Sequence, residues 1–557
     1  MDKEFTYKKI LPGNTIMVVV PHEDDEINTA GATIYDAKKE GFRVICVFLT
    51  NGDWEYPADI RFKEAIDALG VLGVPEKDII FLGYPDGGVH AERSVFQYGK
   101  SEKINALGRD ETYGTQSHPD YAIKYYGHHQ VYTFNNFLMD LENVILDYQP
   151  DTLIVTDFDS HPDHRMCSLA FETVMGRILN TCGNTYHPLV LKGFAYADGF
   201  ESIKDFPGKH VISTRINKKK LSYPEYDTDN PVYEWTQRVR FPVSSECKTM
   251  DLSQNKIFQA LTCHMSQKAN RRARSIINGD QIFWARRTDN LIYEGNIEVS
   301  SGESKYLHDF RMMGTEDISA KRPTMADYLW IPEAGDIRKT CRCTFKEPKK
   351  IQEIILYGNI EEDSRIEEGE IIFSTGYRCL TGALRRGGKA NYISIPEPMI
   401  VDWIEFRIVS SYGSHAGISE WEIFSSTKGP LQLLQITVDD NLSDNWIIWP
   451  GEVPQMGIYL YGIENSINWY IDGEKCTMGD ISQKVQNLSK KISVRAEYIL
   501  DPAVANEMCF SPATFSYRVK WLWKLIRSRW QFWLENQKEK RPHHRLKAIK
   551  RKGIREW

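Results

Sequence analysis

No apolar run in the 557 residues approaches the roughly 20 that a membrane-spanning helix needs. The longest are stretches such as Thr15–Val20. The start of the chain also lacks an export-signal pattern. Its first charged residues are followed only by that short run, then by Pro21-His22-Glu23-Asp24-Asp25-Glu26. Cysteines are present but unpaired in sequence: ten lie scattered, Cys341 and Cys343 being the nearest pair, and none forms Cys-x-x-Cys. That argues against a thiolate metal cage or a disulfide scaffold and fits a reducing, cytoplasmic setting. No internal repeat of convincing period is present.

What remains is a soluble globular composition, 41% hydrophobic and 26% charged. At about 150 residues per domain, three or four domains are expected. The net charge of −7 hides an asymmetry: from Arg518 to Trp557 fourteen Lys/Arg face three Glu, a net +11, so the rest carries −18. An acidic body with a basic tail suggests that the tail meets an anionic surface.

Residues 1–300 alternate buried strand patterns with helical ones, the signature of a mostly parallel, Rossmann-like α/β sheet. Thr15–Val20, Arg43–Leu49, Ile79–Leu82 and Thr152–Thr156 read as strands; Thr29–Lys39, Ala58–Leu72 and Phe134–Tyr148 read as helices. A polar segment, 301–325, reads as a linker. Shorter alternating runs then predict β-sandwich units over 326–427 and 428–505, the second short enough to be immunoglobulin-like. A basic amphipathic tail spans 510–557.

Two acidic-histidine clusters each follow a predicted strand: His22-Glu23-Asp24-Asp25-Glu26 and His161-Pro162-Asp163-His164. Ligands bind at the carboxyl ends of strands in open parallel sheets, so clusters distant in sequence can converge there. Imidazoles and a carboxylate suit a catalytic zinc, which keeps three protein ligands and one open position. His22, Asp25 and His164 can supply such a set. Asp24 is placed to accept a proton from attacking water. His161 could stabilise charge on an acyl oxygen and later protonate a leaving amine.

In this combination and order the motifs resemble those of the PIG-L/LmbE family of zinc-dependent deacetylases, which act on N-acetylglucosaminyl groups. Further matches are Leu49-Thr50-Asn51-Gly52-Asp53, Arg61-x-x-Glu64, Leu82-Gly83-Tyr84-Pro85-Asp86-Gly87, and Lys256 through Ser266-Gln267. The resemblance implies His22, Asp25 and His164 as zinc ligands, Asp24 as base and His161 as the charge-stabilising histidine. It places Arg61 near the substrate and makes Asp86 a substrate-binding candidate. One departure stands out: Glu23 occupies the place of the family's proline.

Each piece alone has a plainer reading. A single His-x-x-His among 14 histidines is weak evidence, Asp-Asp-Glu is usually a solvated turn, and Arg61 with Glu64 would ordinarily be an exposed pair of small value. Asp86 could simply stabilise its turn. His264 would buttress the site and is not counted as a ligand.

Residues 326–426 resemble a discoidin-like sandwich, through Lys349–Tyr357, Ile404–Ser410 and Gly417–Ile423. Many such domains bind glycans; a spacer role is the alternative. In the tail, Val519, Leu522, Trp523, Ile526, Trp530 and Trp533 fall on one helical stripe surrounded by Arg518, Lys520, Lys524, Arg527 and Arg529. That suits the surface of an anionic membrane, its inner face for a cytoplasmic protein. Docking against the acidic body and nucleic-acid binding are the rivals, the latter the less favoured. The sequence thus predicts a zinc-dependent N-deacetylase of an N-acetylamino sugar, carried on a lipid-linked or cell-surface glycan precursor. A glycan-binding scaffold with a vestigial hydrolase domain, and a zinc amidase of another N-acyl group, remain as alternatives.

Overall fold

A computed structural model describes residues 6–98, 109–183, 185–196, 200–201, 208–221, 223–315, 318 and 328–538. Parts of the expected linker, part of the polar 91–131 insertion, and the tail beyond 538 lie outside the described residues.

β1 (Thr15–Val20), β2 (Arg43–Thr50), β3 (Ile79–Tyr84), β4 (Thr152–Thr156) and β5 (Leu189–Gly193) form a parallel core. Two antiparallel strands, β6 (Val239–Pro242) and β7 (Asp280–Arg286), extend one edge. The order across the sheet is β3-β2-β1-β4-β5-β7-β6. β1 to β4 are almost wholly apolar because both faces are covered by helices and other chain segments. The helices are α1 (Asp25–Lys39), α2 (Ala58–Val71), α3 (Phe134–Tyr148), α4 (Pro162–Cys182) and α5 (Lys256–Cys263).

β1 lies beside β4, so the loops leaving these two strands open side by side. Both lead directly into helices. α1 starts at Asp25 and takes up acidic residues expected to lie in a loop; carboxylates are favoured at the positive end of a helix. α4 starts at Pro162, a residue pre-set for the first helical turn. His161 caps this helix, its Nδ1 accepting from the Asp163 N–H at 3.2 Å.

Next in the chain comes an antiparallel sheet from Gly295–Val299, Thr340–Gly358, Arg365–Phe373, Arg378–Gly382, Asn391–Tyr412 and Ile418–Phe424. It takes in 295–299, which pairs with 341–345 upstream of the expected linker. A third unit sets a three-stranded sheet containing Leu433–Val438 and Met456–Tyr461 over a five-stranded one containing Ile467–Ile471, Ile492–Tyr498 and Ala505–Pro512. The two share one apolar core. It also holds a helix, Met478–Gln486, and a parallel pair, 445–448 with 509–512, that the periodicity did not announce.

The units are joined by continuous apolar packing. Ile355, Tyr357 and Phe424 sit in one cluster with Val155 and Trp284; Leu431, Leu433 and Phe532 sit in another with Val18 and Phe48. No described helix is long and apolar enough to cross a membrane.

Candidate active site

The loops after β1 and β4 bring the two clusters together. His22 Nδ1 lies 3.0 Å and His164 Nε2 3.2 Å from the same oxygen, Asp25 Oδ2. His161 joins them: its ring is 4.8 Å, centre to centre, from both His22 and His164. Ligating atoms of His22, His161 and His164 all fall within 4.8 Å of one another, as do those of His22, Asp86 and Asp163.

The donor set fits a divalent cation. Imidazole nitrogens and carboxylate oxygens converge in a buried place, and His164 Nε2, Asp25 Oδ1 and Asp163 Oδ1 are buried without a hydrogen-bond partner. The far side of each ring is held. His164 Nδ1 is 2.7 Å from Asp159 Oδ2, the carboxylate–histidine arrangement that orients metal-binding imidazoles. Asp159 is itself fixed by the N–H groups of His161 and Tyr196, both at 2.9 Å. Asp163 Oδ2 lies 3.3 Å from His22 Nε2 and accepts the Gly87 N–H at 2.9 Å.

Burial alone would push His164 down, but Asp159 and Asp25 outweigh it and hold the ring up at about 9. The same pairing keeps Asp25 well below the ordinary carboxyl range against its burial. His161 goes the other way: burial, then the charges of His164 and His22, push it down to about 3.

Asp24 occupies the turn between β1 and α1 with φ of 135°, a conformation that L side chains rarely adopt. Its N–H is held by Glu26 Oε2 at 2.8 Å, and Glu26 Oε1 is in turn 2.8 Å from His264 Nε2. His264 is thus a buttress two residues removed from the ligands, as expected. The Asp24 carboxylate faces two guanidinium groups, Arg272 at 3.1 Å and Arg61 at 3.6 Å.

Arg61 and Glu64 are buried, so the exposed-pair reading fails, and they do not pair with each other. Glu64 accepts from the Ser266 N–H at 2.8 Å and hydroxyl at 2.6 Å. Arg61 donates to the Glu23 carbonyl, and its Nε lies 3.5 Å from the Glu23 carboxylate. At 3% exposure it braces the motif from beneath. Glu23, standing where a proline was expected, is buried beneath Arg61; burial pushes its carboxyl up to about 8 against the pull of Arg61. Gly52 makes this pairing fit: at φ of 56°, a Cβ there would sit 2.1 Å from Glu23 Oε2. Asp86 does more than shape its turn. It caps the Gly88 N–H at 2.7 Å and lies 3.5 Å from His22 Nε2, inside the cluster.

Three contributors carried no recognisable sequence signal. Tyr196 stands edge-on to His164 at 4.6 Å, and Arg272 lies 5.3 Å from the centre of the Tyr196 ring. These two also line an adjoining cleft of about 230 Å³ with Thr29, Phe194, Lys220 and Trp284. Asp159 stands two residues before the second motif, and nothing in its spacing announced the contact with His164.

Comparison with known families agrees with this geometry: residues 17–175 match the PIG-L family, described as GlcNAc-PI de-N-acetylase. Those residues form a PIG-L domain. Residues 291–424 of the chain match a domain of unknown function, DUF7402. A comparison with curated proteins finds no match. Among solved structures, the chain is similar to an N,N'-diacetylchitobiose deacetylase from Pyrococcus horikoshii, at 19% identity over 33% of this chain and 62% of that one, TM-score 0.23. It is also similar to the A40926 pseudoaglycone deacetylase Dbv21, at 14% identity over 47% and 83%, TM-score 0.26. A third similar structure is the family 32 CBM from C. perfringens NanJ, at 13% identity over 24% and 94%, TM-score 0.19.

Proposed function

We propose that the protein is a zinc-dependent hydrolase that removes the acetyl group from an N-acetylamino sugar of the N-acetylglucosaminyl type. The observation that carries this reading is the meeting of His22, Asp25 and His164, from two strand ends, beside the strained Asp24. The PIG-L match supports the reaction class.

His22, Asp25 and His164 would hold the ion. Zinc there supplies a Lewis acid that polarises an acyl oxygen and makes water nucleophilic near neutral pH. The protein's own groups do the rest. Asp24, fixed by the Glu26–His264 pair, takes the proton from the attacking water. His161, beside the cluster, would face the acyl oxygen and relay to the departing amine the proton that Asp24 takes from the water. Asp86 is positioned at the cluster to accept from a sugar hydroxyl, while Arg61 holds the first motif in place. The cleft behind Tyr196 and Arg272 offers room for the sugar.

The test is to measure zinc in the purified protein and acetate released from a panel of N-acetylglucosaminides. Asp24→Asn is expected to keep its zinc and lose about 10²- to 10⁴-fold in turnover. An Asp24→Asn protein that is metal-loaded and as active as wild type would overturn the mechanism. Turnover of simple N-acyl amides in preference to every sugar would overturn the substrate class.

A further inference from the structure

The C-terminal helix, Phe515–Lys538, carries apolar side chains on two sides, and the fold uses one of them. Tyr517 and Trp521 meet Trp449 edge-on at 6.2 and 4.9 Å, and Phe532 meets Phe258 at 5.3 Å. Gln531 accepts from the Leu252 N–H at 3.2 Å and donates to Asp251 at 3.1 Å. At about 100° per residue, these positions share one side of the helix.

The other side is an apolar stripe that nothing among the described residues covers. Val519, Leu522, Trp523, Ile526, Trp530 and Trp533 are 41–69% exposed. They fall within an arc of about 100°. No other tryptophan among the described residues is as exposed. The docked face and the stripe are therefore different residues, so attraction to the acidic body does not account for the stripe.

Charge borders the stripe on both sides. Arg518 and Arg529 lie along one edge, Lys520 and Arg527 along the other, and all are exposed. Arg527 alone of these approaches an acid, Asp251 at 3.6 Å. There is no Asp or Glu from 515 to 534, and the sequence from Lys538 onward adds nine Lys/Arg against two Glu.

Cations flanking an apolar, tryptophan-bearing arc match the layered chemistry of a bilayer surface: hydrocarbon below, headgroup phosphates at the edges. A nucleic acid would use the cations and leave the stripe in water. A protein partner would cover the stripe without needing cations along both borders. We infer that this helix seats the protein on an anionic lipid bilayer, stripe against the lipid. The surface is separate from the His–Asp cluster and does not depend on its chemistry.

Deleting the helix would uncover Phe258 and Trp449, so substitution of exposed residues is the cleaner test. In the full chain, one variant carries Trp523→Ser, Trp530→Ser and Trp533→Ser with every cation kept; a second carries Arg518→Gln, Lys520→Gln, Lys524→Gln and Arg529→Gln. Each is floated with vesicles of phosphatidylcholine alone or mixed with phosphatidylserine, at low and high salt. Wild type is expected to float with the mixed vesicles at low salt, and at least about ten-fold less with neutral vesicles or at high salt. The tryptophan variant should lose about ten-fold or more of that binding while keeping its thermal midpoint, and the glutamine variant should lose its lipid-charge dependence. Wild type that ignores anionic vesicles, or a tryptophan variant that floats as wild type does, would overturn the inference. So would self-association of wild type that the tryptophan variant abolishes, or RNA binding by wild type in place of vesicle binding.

Discussion

At the scale of single residues, the site is ordered from outside the ligands. Asp159 touches His164 and is itself held by two backbone N–H groups, so it fixes which ring nitrogen faces the cluster. Asp159→Asn is expected to leave a folded protein whose zinc, titrated against a chelator, is held about 10- to 100-fold more weakly. Retention equal to wild type would remove the orienting role. The two motifs were legible in sequence because each follows a short, buried, β-branched strand. Glu23 was not, because a carboxylate between a histidine and two aspartates reads as solvated. Only the fold shows that Gly52 leaves the space that Glu23 and Arg61 occupy. Nor could spacing have found Arg272, which reaches Asp24 across 248 positions.

At the scale of elements, α1 is anchored at both ends. Its first turn enters the site, while near its last turn Asp36 accepts the Ser244 N–H at 3.0 Å. Burial pushes the Asp36 carboxyl up to about 6, against its Ser244 bonds and the nearby Lys248 and Lys39. Between the ordinary carboxyl range and that value, the folded chain keeps a proton that the unfolded chain has released. Stability contributed here is present at low pH and lost as pH rises through about 4 to 6, by roughly 2–3 kcal/mol. Asp36→Asn should remove that slope. Thermal midpoints at pH 4 and pH 7 should show the variant gaining on wild type as pH rises, and parallel curves would contradict the assignment. In the α/β sheet, β1 to β4 and α1 to α3 were legible because their periods are clean; β5, β6, β7, α4 and α5 were not read from the sequence. The tail was half legible. Its stripe could be read from spacing, but a helix with apolar residues on two sides does not declare which side the body takes, and Phe532 against Phe258 decides it.

At the scale of the whole molecule, charge reinforces the apolar seams. Arg240 is 1% exposed and bridges Asp280 of β7 at 2.8 Å to Asp440 of the third unit at 2.7 Å. Arg286 reaches Glu422 of the middle sheet at 3.5 Å. The expected outcome is that the three units unfold together, as one calorimetric transition, and three separate transitions would refute it. Arg240→Ala should lower stability by about 3–5 kcal/mol, because it leaves Asp280 buried without its partner. Boundaries between the units were hard to read for the same reason: 295–299 belongs to a sheet whose next strand begins at 340.

Those seams also bear on how the chain is made. Val18 and Phe48 are synthesised long before Leu431 and Phe532, which complete their cluster. A nascent chain must carry part of that hydrocarbon bare until the later residues have emerged from the ribosome, with chaperone holding as the natural safeguard.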